Sequence, residues 1–169
     1  MSLYVQWMNL IKEKSTPDWL TDAQREAYEK ITKQWQAAPF VNLYGPAGCG
    51  KSFVARILVK EYGYAYTHDL QAVQPDTSNV IVDDAEYTRL MRPTARLLRL
   101  DRVILLTRRP VADPMPRAET HLAERDVNQF LHNLFEHCSI TFVASEPKGT
   151  DLAQIIRAEV VARGGIHVA

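Results

Sequence analysis

Eight consecutive residues, Gly45-Pro46-Ala47-Gly48-Cys49-Gly50-Lys51-Ser52, combine three glycines, one cation and one small hydroxyl. Such a set is suited to phosphate. Glycines let the backbone wrap an anion with its N–H groups turned inward. A lysine and a hydroxyl at this spacing are placed for the outer phosphates and for Mg²⁺ respectively. The flanks agree. Phe40-Val41-Asn42-Leu43-Tyr44 reads as an apolar strand entering the loop. Lys51 onward reads as a helix, with Val54, Ile57, Leu58 and Val59 along it and Gly63 near its end. The positive N-terminal end of that helix would face the same anion. Phe53, in its first turn, is counted with the loop residues as a nucleotide contact. ATP and Mg²⁺ are the expected cofactors.

Three more residues have types and places that fit phosphate chemistry. Val80-Ile81-Val82 is a short apolar run ending at Asp83-Asp84. Asp83 suits a Mg²⁺ ligand at a strand end, or the N-cap of the helix that follows. Asp84 stands where many ATPases carry a glutamate that polarises water. It is one methylene shorter, and in-line attack tolerates little misplacement. Glu86 reads better as a first-turn carboxylate favoured by the helix dipole. Thr107 closes the apolar run Val103 to Leu106. Its hydroxyl would orient an attacking water, or simply bond locally at the strand end. Lys51, Asp84 and Thr107 are therefore the expected catalytic set, with Ser52 and Asp83 on the metal.

These residues need a frame. The chain has 169 residues, the size of one domain at roughly 100–200 residues each. Its composition, 46% hydrophobic and 24% charged, is that of a globular protein. Formal net charge is zero, so no whole-molecule field points to nucleic acid or membrane. Two cysteines, Cys49 and Cys138, are too few for a disulfide framework and are expected as thiols. The N-terminus lacks a basic segment before an apolar core and is not read as a signal peptide. No run of about 18 apolar residues occurs. A cytoplasmic location is expected.

Residues 1–35 read as a helical segment packed on the core, and 36–169 as the core. Leu3, Trp7, Leu10 and Ile11 recur at helical spacing until Ser15-Thr16-Pro17 breaks the run. Thr21 or Asp18 is expected to cap a second helix reaching Trp35. Further strands are expected at 64–67, 80–82, 103–106 and 139–143. Helices are expected at 86–100, near Leu122 to His137 after the proline-rich loop Pro110 to Pro116, and at 151–163. Strands alternating with helices predict an α/β fold, a three-layer arrangement with a five-stranded parallel sheet between helices. Ligands in such sheets sit at the carboxyl ends of the strands. The glycine loop, Asp83-Asp84 and Thr107 all fall there.

Together these stretches resemble the AAA+ branch of the P-loop ATPases, within the ASCE group. More narrowly they look like bacterial replication initiators, initiator regulators and helicase loaders. "VNLYGPAGCGKS" is similar to that clade's Walker A strand and loop, and "NVIVDDAE" to its Walker B. "RVILLTRRP" looks like its sensor 1 strand. "LFEHCSITFVASEPKGTDLAQIIRAEVVARGGIHV" is similar to the stretch that crosses strand five and enters the lid. The resemblance covers about residues 36–168. It implies an ATPase subunit whose nucleotide state regulates assembly of a partner complex associated with DNA, in replication, recombination or mobile-element biology.

The departures from that family point to slow turnover. Asn133-Leu134-Phe135 stands where the family carries Ser-Arg-Phe, so the arginine finger is missing. Arg125 is about two turns earlier. The chain reaches only the lid's first helix, so the lid's sensor 2 arginine is not expected. "LTDAQREAYEKI" carries a second resemblance, to a stretch upstream of Walker A in superfamily 1 helicases, whose glutamine reads adenine. Gln24 would fill that role, or stand as an exposed glutamine on an amphipathic helix.

Residues 87–117 hold Arg89, Arg92, Arg96, Arg99, Arg102, Arg108, Arg109 and Arg117 against Asp101 and Asp113. Arginine suits phosphate. Nucleic acid, an acidic protein partner and a plain solvated surface all remain open as its counterpart. A protein partner or a homo-oligomer is expected, and no membrane. His121, His132 and His137 make no metal spacing. A small-molecule P-loop kinase, or a nucleotide-stabilised binding module without turnover, would use the same loop.

Overall fold

A computed structural model describes residues 9, 12–83, 99–111, 115–121, 125–126, 128–129 and 132–133. It is an α/β fold built on a five-stranded parallel sheet. The strands are β1 (Phe40–Tyr44), β2 (Ala65–Thr67), β3 (Asn79–Val82), β4 (Arg102–Thr107) and β5 (Arg117–Glu119). Their spatial order is β2-β3-β4-β1-β5, and every pairing is parallel. The first four strands match the sequence expectation to within a residue at each end.

The fifth differs. The proline-rich loop was expected to lead to a helix, but residues 117–119 add to the free edge of β1 first, pairing Asn42 with Arg117 and Tyr44 with Glu119. Only Ala118 of this strand is buried, so its Arg-Ala-Glu sequence carries no apolar run to read. The expected strand at 139–143, the helix at 151–163 and residues 86–98 of the helix expected at 86–100 lie outside the described residues.

Side-chain alternation splits the interior in two. Val41, Leu43, Ile81, Ile104, Leu106 and Ala118 face one side of the sheet. Val80, Val82, Val103 and Leu105 face the other, with Val73, Leu70, Leu100 and Met115. Runs of β-branched and leucine residues thus stay buried on both faces, as a parallel sheet requires. Helix α1 (Asp22–Glu29) and helix α2 (Lys51–Tyr62) cover the first face. Their Ala27, Tyr28, Val54, Ile57 and Leu58 enter that cluster, each large aliphatic side chain contributing about 1.5–3 kcal/mol by burial.

Local signals set the helix ends. Thr21-Asp22-Ala23-Gln24 forms a capping box: the Thr21 side chain accepts from the Gln24 N–H, and Gln24 Oε1 accepts from the Thr21 N–H at 3.2 Å. The expected helix through Trp35 is present, but its last turn, Lys30–Gln34, widens to a π-helix. Arg102 closes this end, donating to the carbonyls of Ile31 at 2.6 Å and Trp35 at 3.0 Å. Gly63 ends α2 in a left-handed conformation, its N–H bonding Val59 O at 3.0 Å. Among the described residues no helix is long and apolar enough to cross a membrane.

Candidate functional site

The loop 45–50 leaves the carboxyl end of β1 and turns into α2. Two of its glycines are required by contact. A methyl at Gly45 would collide with Thr120 O and stand 2.7 Å from Cys49 Sγ. Gly50 has φ +89°, and a methyl there would collide with Gln24 Nε2. The turn is pinned by Gly45 N–H to Thr107 O at 3.2 Å and by the Phe53 and Val54 N–H groups to Gly50 O, both 3.0 Å. Pro46, Ala47 and Gly48 form its partly exposed outer arc.

Lys51 and Ser52 open α2 side by side. The Lys51 ammonium donates to the carbonyls of Gly45 and Pro46, both at 2.8 Å, so it lies inside the curve of the loop. Ser52 Oγ donates to Asp83 Oδ2 at 3.0 Å. Asp83 directly follows β3 and is held by its own N–H to Thr67 O at 2.9 Å. Tyr66, from β2, donates its hydroxyl to the same Asp83 oxygen. Burial, and then this bond to Asp83, push the Tyr66 phenol up to about 12. It therefore remains a proton donor at neutral pH.

Because β4 lies between β1 and β3, Thr107 falls between the loop and Asp83. Its hydroxyl donates to Arg109 O at 2.6 Å and accepts from Asn42 Nδ2 at 2.9 Å. The local bonding anticipated for a strand-end threonine is thus present. Asn42 is fully buried in the middle of β1. It also donates to Leu105 O at 3.1 Å and accepts the Val111 N–H at 2.9 Å, fixing the course of residues 108–111. Sequence reading passed over Asn42 and Tyr66. A polar amide in the middle of a buried apolar strand was the available signal for the first. Tyr66 had none.

Gln24 is not the exposed glutamine of the simpler expectation. It is 2% exposed, and its Nε2 donates to Cys49 O at 3.4 Å. The capping box turns the side chain back over the loop and brings α1 against it. Cys49 is a free, buried thiol, 3.1 Å from Thr120 Oγ1 and 3.8 Å from Lys51 Nζ. The loop is therefore gripped by Gln24 on one side and Thr120 on the other.

The arginine-rich face changes in one respect. Arg102 is turned into the fold, on the carbonyls of Ile31 and Trp35 and 5.9 Å from the Tyr64 ring. It does not belong to an outward basic surface. Arg99, Arg108 and Arg109 are exposed. Arg117 donates to Val111 O at 3.1 Å. Arg89, Arg92 and Arg96 lie outside the described residues, as do Asp84, Glu86, Leu134 and Phe135. Asn133 donates to the carbonyls of Trp19 and Leu20 at 3.4 and 3.3 Å. Arg125 is exposed, 3.7 Å from Asp126. His121 and His132 are exposed, and His137 is among the undescribed residues.

A metal can be tested against the donor set. Ser52 and Asp83 offer a hydroxyl and a carboxylate, both hard oxygens, 3.0 Å apart. Mg²⁺ takes one or two such protein ligands and completes its shell with phosphate and water. Among the described residues no group of three or more His, Cys, Asp or Glu stands together, so a cage made of those side chains alone is not found there. The donor set fits Mg²⁺ bound together with a phosphate. Compared with known proteins, the sequence matches no protein-family model, and no curated protein matches it.

Proposed function

We propose that the chain is a P-loop ATPase of AAA+ type, which binds MgATP, turns it over slowly alone, and uses nucleotide state to regulate assembly of a partner complex on DNA. The observation that carries this reading is the meeting of Ser52 with Asp83 at 3.0 Å beside a glycine loop that encloses Lys51. The residues come from the start of α2 and the position after β3, at the carboxyl ends of the strands, where ligands bind in sheets of this kind.

In this reading the loop N–H groups and the α2 N-terminus hold the phosphates. Lys51 exchanges its two carbonyl partners for phosphate oxygens. Ser52 and Asp83 hold Mg²⁺, which when bound neutralises charge on the transferred phosphoryl group. Thr107 and Asp84 attend the attacking water. Leu134 in the place of the arginine makes isolated turnover slow, since such an arginine is worth roughly 10³–10⁵ in rate. A partner or a neighbouring copy supplies it. A cytoplasmic setting goes with this activity.

Lys51→Ala removes the loop cation and should weaken ATP binding at least tenfold, about 1.4 kcal/mol, measured by titration calorimetry. Unchanged affinity would overturn the phosphate assignment. ATP hydrolysis assayed with single-stranded DNA, double-stranded DNA and neither separates a DNA-linked ATPase from a binding module. Phosphorylation of nucleosides or sugars in the same preparation would decide for a kinase instead.

A further inference from the structure

We propose that Tyr66 is a positioning residue of the metal site, which fixes the Asp83 carboxylate against Ser52 so that both meet Mg²⁺ in a prepared geometry; this rests on the MgATP reading above. Three elements build the arrangement. Helix α2 presents Ser52 and Arg56 at i and i+4, hence on one face. The Tyr66 ring lies against that face, with Arg56 Cζ 5.6 Å from its centroid and the His68 ring edge-on at 5.7 Å. The Tyr66 hydroxyl then reaches Asp83 Oδ2, the oxygen that also accepts from Ser52.

Backbone pairing holds the two partners in register. Tyr66 pairs with Ile81 and Thr67 with Val82, and Asp83 N–H continues the ladder to Thr67 O at 2.9 Å. A carboxylate at a strand end turns readily about its last bond. Two hydroxyl donors on one oxygen stop that rotation and set the carboxylate plane relative to Ser52. Partners of this kind, one step behind the ligands, commonly change metal affinity 10–100-fold when removed. Tyr66 does not touch the nucleotide in this account. It acts through Asp83.

The test uses Tyr66→Phe, which keeps the ring packed on Arg56 and remains a good strand residue. ADP affinity is measured without metal, and Mn²⁺ binding to the protein–ADP complex is followed by electron paramagnetic resonance. The expected result is unchanged metal-free ADP affinity and a Mn²⁺ dissociation constant raised about tenfold. Metal-free affinity falling together with metal affinity would mark a general structural role and overturn the proposal. So would a Mn²⁺ constant within about twofold of the wild type. Absence of ADP binding by the wild-type chain, with and without metal, would overturn the MgATP reading itself and this inference with it.

Discussion

Replacing Gly50 with alanine should reveal how tightly α1 is pressed on the loop. Two costs are separable. An alanine held at φ +89° pays the left-handed penalty of roughly 1–2 kcal/mol. Its methyl also runs into Gln24 Nε2. A glutamine on an open surface would swing aside, but Gln24 is 2% exposed and bonded at both ends of its amide, to the Thr21 N–H and to Cys49 O. Displacing it forfeits both bonds, about 0.5–1.5 kcal/mol each. Gly50→Ala should therefore cost about 2–5 kcal/mol by combining these ranges. In a Gln24→Ala background the collision is gone and only the backbone penalty is left. The double-mutant cycle should show a coupling of about 1–3 kcal/mol, as expected of residues in contact. Urea unfolding followed by far-UV circular dichroism and by tryptophan fluorescence, with Trp19 buried in the same segment, measures all four corners. Equal cost of Gly50→Ala in both backgrounds, within about 0.5 kcal/mol, would refute the claim that Gln24 braces the loop.

Asn42→Ala should cost about 2–3 kcal/mol in the same urea assay, because the Val111 N–H loses its buried acceptor and Thr107 its donor; a loss under about 1 kcal/mol would mean that Asn42 does not anchor residues 108–111. Cys49, buried against Thr120, should alkylate slowly in the native protein and more slowly still with MgATP. Equal labelling rates with and without MgATP would count against a loop wrapped around phosphate.

The parts of this molecule that were legible in the sequence are those where one physical cause acts locally. The strands β3 and β4 carry continuous apolar runs, and β1 a run broken only by Asn42, because both faces are covered, and that pattern needs no knowledge of partners. Helix α2 announces itself by Gly50 before it and Gly63 after it. Thr21 as an N-cap is likewise a matter of four adjacent residues. What stayed hidden depends on contacts across the chain. Residues 117–119 become a strand only because β1 offers an open edge, and nothing in Arg-Ala-Glu requires it. Gln24 shows the same limit from the other side: its helical position suggested exposure, but the capping box and Cys49 O, 25 residues away in sequence, draw it inward. Arg102 looked like part of a basic stretch, yet the open carbonyls at the π-helical end of α1 claim its guanidinium. Charge read along a sequence does not say which charges reach the surface.

The bracing of the loop has a thermodynamic consequence on the proposed reading. A ligand bound only by the native state stabilises it by an amount set by its concentration and affinity, about 2.7 kcal/mol at a hundredfold excess over Kd. That amount does not depend on how the loop is held. Where it is felt does. Gln24 joins the loop to α1, Thr120 joins it to the segment following β5, and Gly45 N–H joins it to β4. A loop free of these contacts would order locally on binding, leaving the rest of the domain unaffected. A loop held by all three passes the stabilisation to elements that never touch phosphate, including the turn at Trp19 and Leu20, where Asn133 is bonded. On that reading Asn133, the residue before the place of the missing arginine, is tied to a region whose rigidity would follow the state of the loop. A nucleotide signal would reach a partner there through packing, without any long-range charge.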